Sequence, residues 1–242
     1  MTERRFYVEP ANVSAAQLVL RGDEAHHAHR VLRLGVGDEV DCFDGRGSRW
    51  RGEIESAAKD RVTVTIVEAL PFAAERTPRI TLAQGLVKGE RMDWIVQKAT
   101  ELGASRILPL RAARSEVRLD DERAGRRAER WHRIAVEAAK QCERSWLPVI
   151  AAPVTVAEAL SHLEEPAVAF VERDASPPRP VLEALGDAER LTILVGPEGG
   201  WTKDERDSFA AAGVSSLSLG PNILRAETAA VAALAVVAYA IG

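Results

Sequence analysis

Two short stretches near the C-terminus carry the residues best suited to chemistry. One is Gly196-Pro197-Glu198-Gly199-Gly200, and the other runs Gly220-Pro221-Asn222-Ile223-Leu224-Arg225-Ala226-Glu227. Glycine lets a flat ligand approach the backbone closely, and proline stiffens a turn. Each Gly-Pro step is followed by a carboxylate, Glu198 in the first and Glu227 in the second. Glycines of this kind can be turn residues only. A Gly-Pro step repeated with a trailing carboxylate points instead to a shared ligand site. The common alternatives are missing: there is no G-x-G-x-x-G after a strand, no G-x-x-x-x-G-K-[ST] and no G-x-S-x-G. No His/Cys cluster has the spacing of a catalytic metal site, so no metal is expected.

The elements around these loops are legible from periodicity. Leu191–Val195 is a continuous apolar run, as in a strand buried on both faces of a parallel sheet. Thr202 and Glu205 have capping-box spacing, which starts a helix, and Gly213 should stop it. Leu217–Leu219 reads as the next strand and Thr228–Ile241 as a nearly all-apolar helix. Two such strand-to-helix loops belong at one end of one sheet, where open α/β sheets bind ligands. The final helix, at fourteen residues, is short of the roughly 20 that span a bilayer, so it reads as core and interface.

Upstream, strands and helices alternate from Arg79 onward. Ile80–Leu86, Arg106–Leu110 and Ala167–Val171 read as strands. Glu90–Leu102, Asp121–Arg144, Val156–Leu163 and Val181–Leu185 read as helices. This pattern makes residues 73–242 an α/β domain with a mainly parallel sheet and helices on both faces. Residues 1–72 read differently. Several short strands, ending in the clean alternation of Arg61–Glu68, suggest a small β-barrel. A helix from about Asp23 to Leu32 interrupts them and carries His26, His27, His29, Arg30 and Arg33. It is either a solvated face or a surface that touches RNA. Pro71 and Pro78 bracket the change of pattern.

Composition sets the remaining bounds. The chain has 242 residues, 46% hydrophobic and 28% charged, with a net charge of −4. That charge is uneven: residues 73–147 hold 16 Lys and Arg against 11 Asp and Glu, while both flanks are acidic. Arg123, Arg126, Arg127, Arg130 and Arg133 recur at steps of three or four along one helix. Such a stripe is either solvated or in contact with phosphates. Two distant cysteines, Cys42 and Cys142, and no apolar leader fit a cytoplasmic protein.

The motifs also carry a family resemblance. Val195-Gly-Pro-Glu-Gly-Gly200 and Leu219-Gly-Pro-Asn-Ile-Leu-Arg-Ala-Glu-Thr-Ala229 resemble the signature loops of the RsmE family. These are 16S rRNA (uracil-1498-N3)-methyltransferases of the knotted SPOUT class. Gln84–Gly103, Glu137–Cys142 and His29–Arg33 fit the same pattern, so the resemblance covers nearly the whole chain. It departs from the family at Asn222, where Arg is usual, and at Glu143, where Gly is usual. The resemblance implies S-adenosylmethionine as cofactor, a deep trefoil knot, a PUA-like N-terminal barrel that helps bind 16S rRNA in the small subunit, and a homodimer. The knot is implied by the resemblance alone, since chains generally avoid threading.

On that reading the backbone of two segments holds the methyl donor. The first is Leu194, Val195, Gly196, Pro197, Glu198, Gly199 and Gly200; the second is Leu219, Gly220, Ile223, Leu224, Thr228 and Ala229. Arg225 would stabilise charge on the uracil, and Glu227 would orient Arg225 or take the N3 proton. A purely structural Arg225–Glu227 pair is the plainer alternative. Arg30, Arg33, Lys88, Lys98, Arg114, Arg123, Arg126, Arg127 and Arg130 are the candidate RNA contacts. Another knotted RNA methyltransferase, acting on a ribose hydroxyl or a tRNA base, and a non-catalytic RNA-binding assembly factor are the competing readings.

Overall fold

In a computed structural model of the chain, residues 4–117, 121–163, 166–172, 177, 180, 182–183 and 188–241 are described. The helix expected over 181–185 and the loop over 176–180 fall largely outside them. The chain divides into two compact units. One comprises the chain up to Glu75 together with Ala139–Leu147, and the other holds Arg76–Ala138 and Pro148 onward.

The first unit contains β1 (Arg5–Tyr7), β2 (Gln17–Arg21), β3 (Glu39–Phe43), β4 (Arg49–Ala58) and β5 (Arg61–Leu70). Between β2 and β3 lies helix α1 (Gly22–His26), which continues as a wider π-helical turn over His27–Val31. The strands pair in the order β1-β3-β4-β5-β2. The path ends at β1 and β2, so the sheet is a half-barrel and not a fully bonded one. Period-two alternation puts Leu18, Leu20, Val40, Ile54, Val62 and Val64 inward, where they are buried with Phe6, Ala25 and Ala28.

Ala139–Leu147 completes this unit, which sequence reading did not anticipate. Lys140 Nζ donates to Glu24 Oε1 at 3.1 Å, and both side chains are nearly sealed from solvent. The other Glu24 oxygen accepts from the Tyr7 N–H at 3.1 Å. Losing one partner of a pair this buried costs about 3–5 kcal/mol, because the other charge is stranded. Trp146 Nε1 donates to Ala73 O at 2.7 Å, and the Leu147 N–H to Gly45 O at 3.0 Å. Burial pushes the nearby Cys42 thiol well above its ordinary range.

The second unit is a seven-stranded parallel sheet: β6 (Arg79–Gly85), β7 (Arg106–Arg111), β8 (Val149–Ile150), β9 (Val154–Thr155), β10 (Ala167–Phe170), β11 (Arg190–Val195) and β12 (Ser215–Leu217). The order is β12-β10-β11-β6-β7-β8, with β9 also on β7. Strands β8 and β9 are two residues each, too short to carry a periodicity, and were not expected from the sequence. Among the described residues, five helices cover the sheet: α2 (Arg91–Glu101), α3 (Asp121–Gln141), α4 (Val156–Ser161), α5 (Lys203–Ala211) and α6 (Ala226–Ile241). In β11, Leu191, Ile193 and Val195 pack in one core with Ile95 of α2, Trp131 of α3 and Leu234 of α6. Leu194 points to the other face, with Ala159 of α4 and Phe209 of α5. Helices thus lie on both faces, as the apolar run of β11 requires.

The capping box at Thr202 is present: its hydroxyl accepts from the Glu205 N–H, and Glu205 Oε2 accepts from the Thr202 N–H at 2.8 Å. Helix α6 starts two residues before the expected Thr228, which puts Glu227 in its first turn. Among the described residues no helix is long and apolar enough to cross a membrane.

Glu143, the residue that departs from the usual Gly, has φ of +61°. The left-handed region costs a residue with a Cβ roughly 1–2 kcal/mol. Glu143→Gly is therefore expected to raise stability by about 1 kcal/mol, read as a higher urea midpoint at unchanged m-value.

Candidate active site

The carboxyl ends of β10, β11 and β12 enclose a cavity of about 360 Å³. Because β10 lies between β11 and β12, a third segment, Phe170–Glu172, joins the two Gly-Pro loops in lining it. The first loop is fixed on all sides. The Gln84 amide donates to Gly196 O at 3.2 Å. Trp201 Nε1 donates to Phe170 O at 3.2 Å, and the Arg114 guanidinium to Gly199 O at 3.0 Å and Trp201 O at 3.4 Å. Gly85 makes this packing possible. A Cβ there would stand 2.5 Å from Pro197 N and 2.9 Å from the Gly196 carbonyl carbon.

Of the residues singled out from sequence, Val195, Gly196, Pro197, Glu198, Gly200, Leu219, Gly220, Leu224 and Ala229 line the cavity. Leu194 lies in the core beneath α5, Gly199 packs against Arg114, and Ile223 and Thr228 are exposed. Sequence reading missed Phe170, Val171, Glu172, Trp201, Lys203, Arg206, Ser218 and Ala226. The available signal was the end of the Ala167–Val171 strand. A central strand contributes its own C-terminal loop to a switch-point cleft. Asn222, noted as a departure from the family, also lines the cavity.

The two carboxylates that follow the Gly-Pro steps converge on a residue that sequence reading passed over. Arg91 Nη1 donates to Glu198 Oε1 at 3.0 Å, and its Nε stands 3.9 Å from Glu227 Oε1. The Lys88 N–H donates to the same Glu198 oxygen at 3.0 Å. The cation facing Glu227 is therefore Arg91, not Arg225. Arg225 is exposed, one residue before α6, and makes no ion pair among the described residues. Glu227 Oε2 is buried with no hydrogen-bond partner. Arg91 and Glu198 are partly exposed, so their pair contributes at most about 1 kcal/mol and acts chiefly to fix positions.

Many of the basic candidates are already paired. Lys88 bonds to Glu116 and holds that carboxyl below its ordinary range. Lys98 bonds to Glu101 at 2.8 Å, Arg126 to Glu122, and Arg130 to Asp93 at 2.5 Å. Asp93 also accepts from Trp131 Nε1 at 3.1 Å, so Arg130 helps fasten α3 to α2. Arg123 is exposed and Arg127 half-buried on α3; Arg30 and Arg33 are exposed in the first unit.

Could the cavity hold S-adenosylmethionine? Its volume falls within the range of small-molecule sites. Leu219, Leu224, Ala226 and Ala229 give an apolar wall, and Glu172 and Arg206 give opposite charges. An apolar wall with few charged groups suits a ligand with a flat aromatic base at one end and a zwitterion at the other, so the residues fit.

Gly85→Ala is expected to cost about 1–3 kcal/mol by overpacking and to weaken small-molecule binding in the cavity. Urea unfolding and calorimetric titration read both; unchanged stability would show that the Gly-Pro loop is free to shift.

The comparisons with known proteins match this architecture. A family profile described as RNA methyltransferase domain matches residues 75–238, and one described as RNA methyltransferase PUA domain matches residues 20–67. Ribosomal RNA small subunit methyltransferase E of Bacillus subtilis is 33% identical over 98% of this chain and 96% of its own. The Synechocystis protein of the same name is 36% identical over 96% of this chain and 76% of its own. Among solved structures, the Neisseria gonorrhoeae enzyme of that name, bound to S-adenosylmethionine, is 31% identical with a TM-score of 0.83, covering 96% of this chain and 95% of its own. A Legionella pneumophila protein solved with the same cofactor is 30% identical with a TM-score of 0.91, covering 98% and 97%. Its sequence along nearly its whole length, its two units and its cavity place this chain in the ribosomal RNA small subunit methyltransferase E family.

Proposed function

We propose that this chain uses S-adenosylmethionine to methylate N3 of one uridine, position 1498, of 16S rRNA in the small ribosomal subunit. The observation that carries the reading is the cavity at the ends of β10, β11 and β12, walled by both Gly-Pro loops. The cofactor supplies an electrophilic methyl group on a sulfonium. The two loops hold it through backbone and small side chains and exclude water around it. A uracil N3 must lose its proton before or during attack. Glu227, with one buried oxygen lacking a partner, accepts that proton. Arg91 keeps Glu227 oriented from the other side. Arg225, exposed and uncommitted among the described residues, reaches the base and stabilises the charge that spreads to O2 and O4.

The wider arrangement belongs to the same proposal. Residues 1–72, completed by Ala139–Leu147, serve as a PUA-like RNA-binding domain and the remainder of 73–242 as the methyltransferase domain, supported by the two family profiles. The C-terminal segment is threaded as a trefoil knot. The strand order supports this, with β11 inserted between β10 and β6, β12 beyond β10, and α6 packing against the α2 side of the sheet. The protein works in the cytoplasm as a homodimer without a metal, with the apolar α6 contributing to the interface.

Arg225→Ala should lower methyl transfer to small-subunit RNA by about 100-fold with the fold intact. Transfer of labelled methyl followed by nucleoside analysis measures it and identifies 3-methyluridine. A normal rate would remove Arg225 from the mechanism. A ribose or purine product would favour another knotted methyltransferase, and RNA binding without transfer an assembly factor. Replacing Arg123 and Arg127 by Ala should weaken RNA binding and reduce the slope of log K against log salt by about 1–2. If the slope holds, the α3 stripe is a solvated face.

A further inference from the structure

Five charged side chains line the cavity: Arg114, Glu172, Glu198, Lys203 and Arg206. Three of them are committed elsewhere. Arg114 donates to the carbonyls of Gly199 and Trp201 at 3.0 and 3.4 Å. Glu198 accepts from the Lys88 N–H and from Arg91, each at 3.0 Å. Lys203 bonds to Asp207 at 2.5 Å, which pushes its ammonium above the ordinary range. Two remain. Arg206, on α5, has its Nε buried with no hydrogen-bond partner. Glu172, just after β10, lies over Gly200, where a Cβ would stand 2.8 Å from its Oε1. Gly200 has φ of +65°, so the chain accommodates that carboxylate both by conformation and by lack of a side chain. Neither Arg206 nor Glu172 forms a salt bridge among the described residues, so they do not neutralise each other.

A cavity wall with one uncommitted guanidinium and one uncommitted carboxylate is a site for a zwitterion. A buried guanidinium nitrogen without a partner carries a desolvation cost that a bound carboxylate would relieve. An α-amino acid group has both complementary charges on one carbon. We propose that Arg206 binds the carboxylate and Glu172 the ammonium of the amino-acid end of the methyl donor. They thereby set the cavity's preference for donors and products that carry this group. The inference rests on the reading that the cavity holds S-adenosylmethionine.

The test separates the amino-acid end from the nucleoside. The full chain is titrated calorimetrically with S-adenosylhomocysteine, which has the amino-acid group, and with 5′-methylthioadenosine, which lacks it. Arg206→Ala and Glu172→Gln are each expected to weaken S-adenosylhomocysteine by about tenfold and to leave methylthioadenosine within about twofold. Arg206→Lys, which keeps the charge and loses the planar fork, should fall between. Equal loss for both ligands, or no loss for either, overturns the assignment. If Arg206→Ala binds nothing because its fold is damaged, Glu172→Gln decides by the same comparison. Should the unsubstituted protein bind neither ligand, the cofactor reading itself fails and takes this inference with it.

Discussion

The parallel pairing of β11 between β6 and β10 is the constraint on which the rest of the site depends. Parallel strands share one direction, so every strand-to-helix loop leaves the sheet at the same end. With β10 on one side of β11 and β12 beyond it, three loops surround one space. The backbone register continues along β11, from Leu191 beside Ile80 to Val195 beside Gln84, and places the Gly196 carbonyl within reach of the Gln84 amide. A one-residue slip would move Leu194 out of its core and the Gly-Pro turn away from Gly85. Main-chain pairing thus sets where the loops leave the sheet, and side chains such as Gln84 then hold them in place.

Much of this was legible because it is local. The apolar run of β11, the Thr202–Glu205 box and the Gly-Pro steps each declare themselves within a few residues. The same holds for α3, where Trp131, Ala135 and Ala138 recur at helical spacing and are buried as that spacing requires. What was not legible depends on strand order. Phe170 and Glu172 enter the cavity because β10 sits between β11 and β12, and nothing in their own neighbourhood states that. Arg91 was passed over for a similar reason. Its partners Glu198 and Glu227 lie more than a hundred residues downstream, and local charge counting paired Glu227 with the nearer Arg225. The arginine stripe was correct as a pattern, but the carboxylates that bind Arg126 and Arg130 lie on α3 itself and on α2.

The charged groups around the cavity divide by commitment more than by type. Arg114, Arg91 and Glu198 spend their hydrogen-bonding capacity on the loops and hold them still. A site that must align two reactants in line gains more from such rigid walls than from additional contacts to the ligand. Arg206 and Glu172 are the charged groups of the cavity wall left over from that task.

The return of Ala139–Leu147 to the N-terminal unit bears on how the chain is made. Proteins emerge from the ribosome N-terminus first, and domains generally fold as they appear. Here the leading half-barrel would emerge with Glu24 facing its interior before Lys140, synthesised 116 residues later, can bond to it. Trp146 and Leu147, which bond to Ala73 and Gly45, come later still. The N-terminal unit therefore cannot be finished in isolation. Its completion waits for most of the first half of the sheet domain to be translated, which couples the maturation of the two units although each has its own core.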